Sequence, residues 1–245
     1  MHILVGLSLG LSLAVAAENP PNKVWNSDPY ESWISQALDS SAVPRGDILR
    51  GAPAKESVKQ LVLDGTGPLG VAKDMDRLCP RYGRLGEQER RLVWNRFFQA
   101  LAFAESGYDY EMVYRETWGG VSVGLLQLST VDNEAWGCRF SESDVYAPKN
   151  PRENLECGVE ILALQMALCG TVFQGFPEST DCGGRTAHGV GGDYSFYWAT
   201  LNPKDASGPE AFRVFADQWK SWTGWDPVTK TRVGEGKELR ECFAD

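Results

Sequence analysis

The pattern of apolar and polar positions predicts a mainly α-helical protein. Residues 87–105 contain no glycine or proline, and their second half is apolar on almost every face. Such a segment is typical of a helix buried at the centre of a domain. The expected core stripe of this helix is Leu92, Phe97, Leu101 and Ala104. Ser106-Gly107 then ends the apolar pattern.

Two further helices have recognisable boundaries. Asn150 can cap a helix that runs to Cys169, Pro151 suits its first turn, and Gly170 follows its end. Its expected core stripe is Leu155, Val159, Leu162 and Met166. A last helix is predicted at about residues 209–222. It carries four aromatic residues, Phe212, Phe215, Trp219 and Trp222.

The remaining segments predict shorter elements. Residues 117–131 combine Gly119-Gly120 with alternating β-branched residues, which predicts a short hairpin running into a helix. Residues 18–85 are rich in proline and glycine, with short helices expected near 31–38 and 56–63. We therefore expect an irregular extension over 18–85, packed on a single mainly helical domain over 86–245.

The N-terminus and the cysteines predict export. Residues 1–17 form an apolar run that ends in small residues, as in a signal peptide, and a polar segment follows at once. We expect a secreted or periplasmic protein without a stable membrane anchor. Six cysteines without a CxxC pair favour three disulfides in an exported chain. Proximity along the chain favours Cys138–Cys157 and Cys169–Cys182, which leaves Cys79–Cys242.

The composition of the chain limits its possible partners and the residue types that could carry catalysis. The chain has 24 Lys and Arg against 33 Asp and Glu, a net charge of −9, which argues against a nucleic-acid partner. Its two histidines are His2, in the predicted leader, and His188, in a glycine-rich loop where a surface position is expected. This excludes a multi-histidine zinc site. We predict no metal and no cofactor, and we expect carboxylates to carry any catalysis.

Glu105 is the most unusual acidic residue. It ends the apolar helix, where a carboxyl group loses solvation and its pKa rises. A carboxylic acid that stays protonated near neutral pH is what a glycosidase needs to protonate a leaving oxygen. From this segment alone, a helix-terminal glutamate that points at water is the competing interpretation.

Three short motifs follow one another in a recognisable order. Glu105-Ser106 precedes Gly124-Leu125-Leu126-Gln127-Leu128 by nineteen residues, and Asn154-Leu155-Glu156-Cys157-Gly158 opens the next long helix. Over residues 87–202 the chain resembles the soluble lytic transglycosylases and the related goose-type lysozymes. The resemblance implies an α+β lysozyme-like fold, a helical domain with a small β-hairpin that flanks a glycan cleft.

The resemblance also implies roles for individual residues. Glu105 aligns with the catalytic acid, and Ser106 with a serine that supports it. Gly124 and Gln127 match positions that line the sugar cleft, while Asn154 suits a capping or bracing role at the next helix. Together with Tyr197 and Trp118, the four residues Ser106, Gly124, Gln127 and Asn154 form our candidate set for substrate binding.

The aromatic candidates are less regular. The family's fourth motif is best matched by Tyr197-Trp198-Ala199, with Trp198 where an asparagine is expected, and Tyr194 competes for the tyrosine's role. Apolar ring faces can also stack on sugars. Residues near the expected cleft that offer such faces are Trp118, Trp136, Tyr146, Tyr197 and Trp198.

A second carboxylate bears on the reaction type. A hydrolase needs a base or a nucleophile besides its acid, whereas a lytic transglycosylase resembles a one-acid enzyme. Glu116, just before the expected hairpin, is our first candidate, and a solvated loop carboxylate is the competing interpretation. The other candidates are Asp109, Glu111 and Asp132.

We therefore predict an exported, monomeric muramidase that hydrolyses the β-1,4 bond between N-acetylmuramic acid and N-acetylglucosamine or glucosamine in peptidoglycan strands. Residues 1–17 hold no charged side chain, so the mature chain also carries −9. Because peptidoglycan is usually acidic, this charge favours a deacetylated, less anionic glycan. A lytic transglycosylase, a chitosanase- or chitinase-like hydrolase and an inactive glycan-binding module are the alternatives.

Overall fold

A computed structural model describes residues 24–39, 74–116, 119–130, 136, 138–173, 197–203 and 208–243. Several sequence predictions concern residues outside these ranges. They are the leader at 1–17, the helix at 56–63, Trp118, Asp132, Cys182, His188 and Tyr194. Within these ranges the protein is mainly helical with small antiparallel sheets, as predicted.

Four α-helices form the body of the described structure. They are α1 at Ser27–Asp39, α2 at Glu87–Ser106, α3 at Pro151–Cys169 and α4 at Gly208–Thr223. Helix α2 packs against α4, and α1 packs against both α3 and α2. Short 3-10 helices lie between them at Met75–Arg77, Tyr82–Arg84, Ala147–Lys149 and Ala199–Leu201, and another follows the last helix at Arg240–Cys242.

The helix boundaries follow local chemistry. The side chain of Asn150 accepts a hydrogen bond of 3.1 Å from the backbone N of Arg152, and so caps α3 as predicted. Helices α2 and α3 both end at a glycine in the left-handed conformation, Gly107 with φ 60° and Gly170 with φ 68°. A side chain there would strain the backbone, because only glycine adopts this conformation freely.

Helix α2 is the centre of the core, although its buried face differs from the predicted stripe. Val93, Phe97 and Leu101 are fully buried, whereas Leu92 is 47% exposed. The prediction for Leu92 was wrong because five residues separate it from Phe97, which turns it about 140° away at 100° per residue. Val93, four residues from Phe97, takes its place.

The predicted hairpin is present, but it begins before residue 117, where the prediction placed its start. Strands β1 at Val113–Arg115 and β2 at Val121–Val123 pair antiparallel, with Tyr114 opposite Ser122. Gly119, with φ 94°, lies in the connection rather than in a strand. A second two-stranded sheet pairs β3 at Trp225–Asp226 with β4 at Thr231–Arg232.

Helix α1 is longer than predicted and is tied to α2 by charge. Arg91 of α2 pairs with Asp39 at 2.5 Å, and Arg96 pairs with Glu31 at 2.9 Å. Arg96 also pairs with Glu238 near the C-terminus. The arginines therefore hold both ends of the described chain against α2.

Two of the three predicted disulfides are present. Cys79–Cys242 joins the residues before α2 to the C-terminus, and Cys138–Cys157 joins the loop before α3 to that helix. The third predicted pair includes Cys182, which lies outside the described ranges. Disulfides fit an oxidising compartment. Across the described segments, no helix combines the length and apolar character needed to cross a bilayer.

Candidate active site

Glu105 lies in the last turn of α2 and is only partly exposed. Its carboxyl accepts a hydrogen bond from the hydroxyl of Thr200. Burial raises the pKa of Glu105 to about 7, the Thr200 hydrogen bond opposes that rise, and the negative charge of Glu116 adds to it. A substantial fraction of this carboxyl is therefore protonated at neutral pH.

Glu116 lies directly after β1, in the connection of the hairpin. Its backbone N donates to the carbonyl oxygen of Gly120 at 2.9 Å, and its carbonyl oxygen accepts from the backbone N of Gly119 at 3.0 Å. The Ser122 hydroxyl donates to the Glu116 carboxylate at 2.5 Å. The hairpin therefore fixes both the backbone and the side chain of this second carboxylate.

Ser106 joins the end of α2 to the turn that follows β2. Its side chain is buried, and the hydroxyl lies 3.0 Å from the carbonyl oxygen of Ala102 and 2.9 Å from that of Leu125. Because the hydroxyl is used inside the protein, Ser106 supports the position of Glu105 and is not placed to contact a glycan.

The turn at 124–127 is close-packed and uses unusual backbone angles. Gly124 has φ 82°, and a Cβ there would lie 2.5 Å from the carbonyl oxygen of Pro148. Gln127 has φ 51°, and its Nε2 donates to the carbonyl oxygen of Gly124 at 2.8 Å. Gln127 is partly exposed, so it remains the polar side chain of this turn that a glycan can reach.

Asn154 holds the same turn from the side of α3. Its Oδ1 accepts from the backbone N of Leu126 at 2.9 Å, and its Nδ2 donates to the carbonyl oxygens of Val123 and Pro148 at 3.1 and 2.9 Å. The side chain is fully buried. Asn154 is therefore a bracing residue, as the sequence motif suggested, and not a direct contact of the substrate.

The aromatic candidates divide by burial. Trp136 and Trp198 are only 4% and 3% exposed, so neither offers a free ring face to a sugar, contrary to the sequence prediction. Trp198 instead donates its indole N–H to the carbonyl oxygen of Leu126 at 3.2 Å. Tyr197 packs edge-on against both tryptophans and remains partly exposed, whereas Tyr146 is 41% exposed.

The structure thus links most of the predicted residues into one site and adds two more. Glu105 and Glu116 interact electrostatically, while Ser106 and Asn154 hold the 124–127 turn beside them. The predictions did not include Thr200 or Ser122. A hydroxyl residue in a chain this long gives no signal of its role, although Thr200 lies three residues after the fourth-motif candidate Tyr197.

The other carboxylates are less well placed. Asp109 and Glu111 lie in the turn after α2, where the Asp109 carboxylate accepts from the backbone N of Glu111 at 2.9 Å. Glu111 is exposed. The carboxylate whose charge raises the pKa of Glu105 is that of Glu116.

Comparison with known proteins agrees with this geometry. Residues 85–176 match the family model described as Transglycosylase SLT domain. These residues are therefore similar to a transglycosylase SLT domain. The match contains Glu105, Glu116, the 124–127 turn and Asn154, but ends before Thr200. Members of this family are peptidoglycan lytic transglycosylases, so the activity that goes with this domain is the cleavage of glycan strands.

Solved structures show the same fold. The structure titled Bd0314 DslA wild-type form 2 is 23% identical, has a TM-score of 0.53, and the alignment covers 81% of this chain and 91% of that one. Two glutamate-to-glutamine mutants of DslA are 22% identical at the same TM-score, with 91% and 92% of their chains covered. No curated protein sequence matches the chain.

Proposed function

We propose that this protein is an exported muramidase that cleaves the β-1,4 bond between N-acetylmuramic acid and N-acetylglucosamine or glucosamine, with Glu105 as its acid. The observation that carries the proposal is the Glu105 carboxyl at the end of a buried helix, with its pKa raised to about 7. The SLT domain supplies the substrate class, because its family acts on peptidoglycan.

The first step is proton transfer. Protonated Glu105 gives its proton to the glycosidic oxygen as the bond from that oxygen to the muramyl C1 breaks, and positive charge develops on the muramyl ring. The leaving sugar departs with a free hydroxyl, and Glu105 is left ionised. A negative Glu116 near the ring would stabilise the developing charge.

Hydrolysis then requires water at the muramyl C1. A carboxylate takes one proton from that water while the oxygen of the water bonds to C1, and the product has a reducing end. Glu116 is our candidate for assisting this step. In DslA, the two replaced glutamates are at positions 143 and 154 of that chain, eleven residues apart. Glu105 and Glu116 are also eleven residues apart, which supports treating them as a pair.

Lytic transglycosylation is the second candidate, and the family match is equally consistent with it. After the same first step, ionised Glu105 takes the proton of the muramyl 6-hydroxyl as that oxygen bonds to C1. The product is a 1,6-anhydro ring, and water does not enter. This route needs no second carboxylate, so Glu116 would be dispensable for it.

The net charge of −9 supports a less anionic glycan as the preferred substrate. Glucosamine units left by deacetylation carry ammonium groups, which an acidic protein attracts. Deacetylated sacculi are digested before and after chemical re-acetylation, and the two rates are compared. A faster reaction on the deacetylated wall is expected, and equal rates on both walls would contradict it.

Product analysis separates the two reactions. Sacculi are digested with the protein, and the soluble fragments are weighed by mass spectrometry. Reducing ends identify a muramidase, whereas fragments lighter by one water carry an anhydro ring. Glu105→Gln should abolish both products. Glu116→Gln should abolish hydrolysis only, and the exposed Glu142→Gln serves as the matched control. An active Glu105→Gln variant would remove the proposal.

A further inference from the structure

Thr200 is a buried hydroxyl residue that contacts the acid itself. It lies in the 3-10 helix Ala199–Leu201, is 4% exposed, and donates its hydroxyl proton to the Glu105 carboxyl. It falls after the end of the SLT match at residue 176. A residue beyond the end of the SLT match therefore reaches the proposed catalytic residue.

The segment that carries Thr200 is fixed on the α3 side. The backbone N of Tyr197 donates to Oε1 of Gln165 at 3.2 Å, and Nε2 of the same glutamine donates to the carbonyl oxygen of Val172 at 2.7 Å. Gln165 is fully buried, so both of its hydrogen bonds are shielded from water. The start of the segment is thereby held against α3.

The segment is fixed on the active-site side as well. The indole N–H of Trp198 donates to the carbonyl oxygen of Leu126, in the turn that Asn154 braces. The backbone N of Leu201 donates to the carbonyl oxygen of Trp198 at 3.0 Å, which closes the 3-10 turn around Thr200. Its position relative to Glu105 is thus set by two independent anchors.

We propose that Thr200 is a positioning residue that determines which oxygen of Glu105 carries the transferable proton. A hydroxyl that donates to one carboxyl oxygen leaves the other oxygen as the place for the acidic proton. The same hydrogen bond stabilises the ionised carboxylate that remains once the proton has moved to the glycosidic oxygen. This inference rests on the proposed function, because it assumes that Glu105 is the acid.

Thr200 and Glu116 have opposite effects on the pKa of Glu105. The hydroxyl favours the ionised carboxyl, and the second carboxylate disfavours it. Removing the hydroxyl should therefore let Glu105 keep its proton to higher pH. The net strength of one neutral hydrogen bond corresponds to an upward displacement of about 0.5–1 pH unit.

The test is the pH profile of sacculus digestion by Thr200→Val, which keeps the side-chain shape and removes the donor. The alkaline limb should move up by about 0.5–1 unit, and kcat should fall several-fold because the proton is no longer confined to one oxygen. Thr200→Ser retains the hydroxyl and should restore the profile. If Thr200→Val does not fold, Thr200→Ala is measured in its place.

A matched control is available in Thr171→Val. Thr171 is fully buried, and within the described residues its hydroxyl has no hydrogen-bond partner. This variant should leave the profile where it is. Difference ¹³C NMR between the wild type and Glu105→Gln gives the titration of Glu105 without relying on activity, and Thr200→Val should displace that titration upward too.

The outcomes separate the two proposals. If Glu105→Gln is inactive and the alkaline limb of the pH profile is unchanged in Thr200→Val, the role of Thr200 is overturned and the proposed function stands. Equal displacement by Thr171→Val, or a failure of Thr200→Ser to restore the limb, also overturns it. Full activity of Glu105→Gln overturns the proposed function itself.

Discussion

The hydroxyl of Ser106 lies 2.9 Å from the carbonyl oxygen of Leu125, nineteen residues further along the chain. This hydrogen bond joins the first sequence motif to the second, because Ser106 follows Glu105 and Leu125 belongs to the 124–127 turn. The hydrogen bond therefore connects the end of α2, which carries Glu105, to the turn that follows the hairpin of Glu116.

Ser106→Ala should destabilise the protein and weaken catalysis. The buried carbonyl oxygen of Leu125 would lose this donor, at a cost of about 1–3 kcal/mol in the free energy of unfolding. Urea denaturation measures the loss, and sacculus digestion should slow at the same time. Ser221→Ala is the control, because Ser221 makes a similar bond to Gln218 on an exposed helix face and should change little.

Asn154→Asp should be far more harmful than its small change in shape suggests. Two carbonyl oxygens now receive hydrogen bonds from Nδ2, and a carboxylate would face both of them unpaired in a buried position. We expect a loss of at least about 3 kcal/mol.

The same substitution at Asn150 is the control for Asn154→Asp. Asn150 caps α3 at the surface, where aspartate can still accept from the backbone N of Arg152. It would lose the hydrogen bond from Nδ2 to the Glu153 carboxylate, which is exposed to solvent and so costs little. Asn150→Asp should stay within about 1 kcal/mol of the wild type. Similar denaturation midpoints for the two variants would contradict the bracing role of Asn154.

Gly124→Ala should combine backbone strain with a steric clash. The φ of 82° costs an alanine about 1–2 kcal/mol, and its Cβ would also lie 2.5 Å from the carbonyl oxygen of Pro148. Gly119→Ala isolates the strain, because it has φ 94° and nothing within 4 Å. Gly83→Ala has open space and should be close to neutral. Thermal unfolding should rank them in that order, with Gly124→Ala the least stable.

Glu105→Gln should stabilise the protein at alkaline pH. The folded-state pKa of Glu105 is about 7 against an ordinary 4.5, so the folded protein holds this proton more tightly than the unfolded chain. The free energy of unfolding therefore falls as the pH rises from 4.5 to 7, and the cost is fully present above that window.

Glutamine has no charge to desolvate, so Glu105→Gln should escape this cost. We expect a gain on the order of 1–3 kcal/mol at pH 8 and little difference at pH 4. Denaturation at both pH values measures it, with exposed Glu142→Gln as the control that should show no such difference. A variant that is equally or less stable than the wild type at pH 8 would contradict the burial of this carboxyl.

Local signals in the sequence were sufficient for the helices and for the acid. Asn150, Pro151 and Gly170 mark the ends of α3 because capping depends on neighbours within one turn. Glu105 stands out because it ends a long apolar run, and its raised pKa follows from the burial that such a run implies. The order of the three motifs indicated the fold, which the SLT match confirms.

Tertiary structure decided which side chains serve the site directly and which support it. Ser106 and Asn154 make their hydrogen bonds inside the protein, which fits the supporting roles that their motifs implied. Trp136 and Trp198 are buried, although their sequence positions fitted contact with a glycan. Thr200 reaches Glu105 from 95 residues away. No spacing rule reveals such a contact, because it depends on how α3, the 124–127 turn and the 3-10 helix pack together, whereas caps and apolar runs are properties of the local chain.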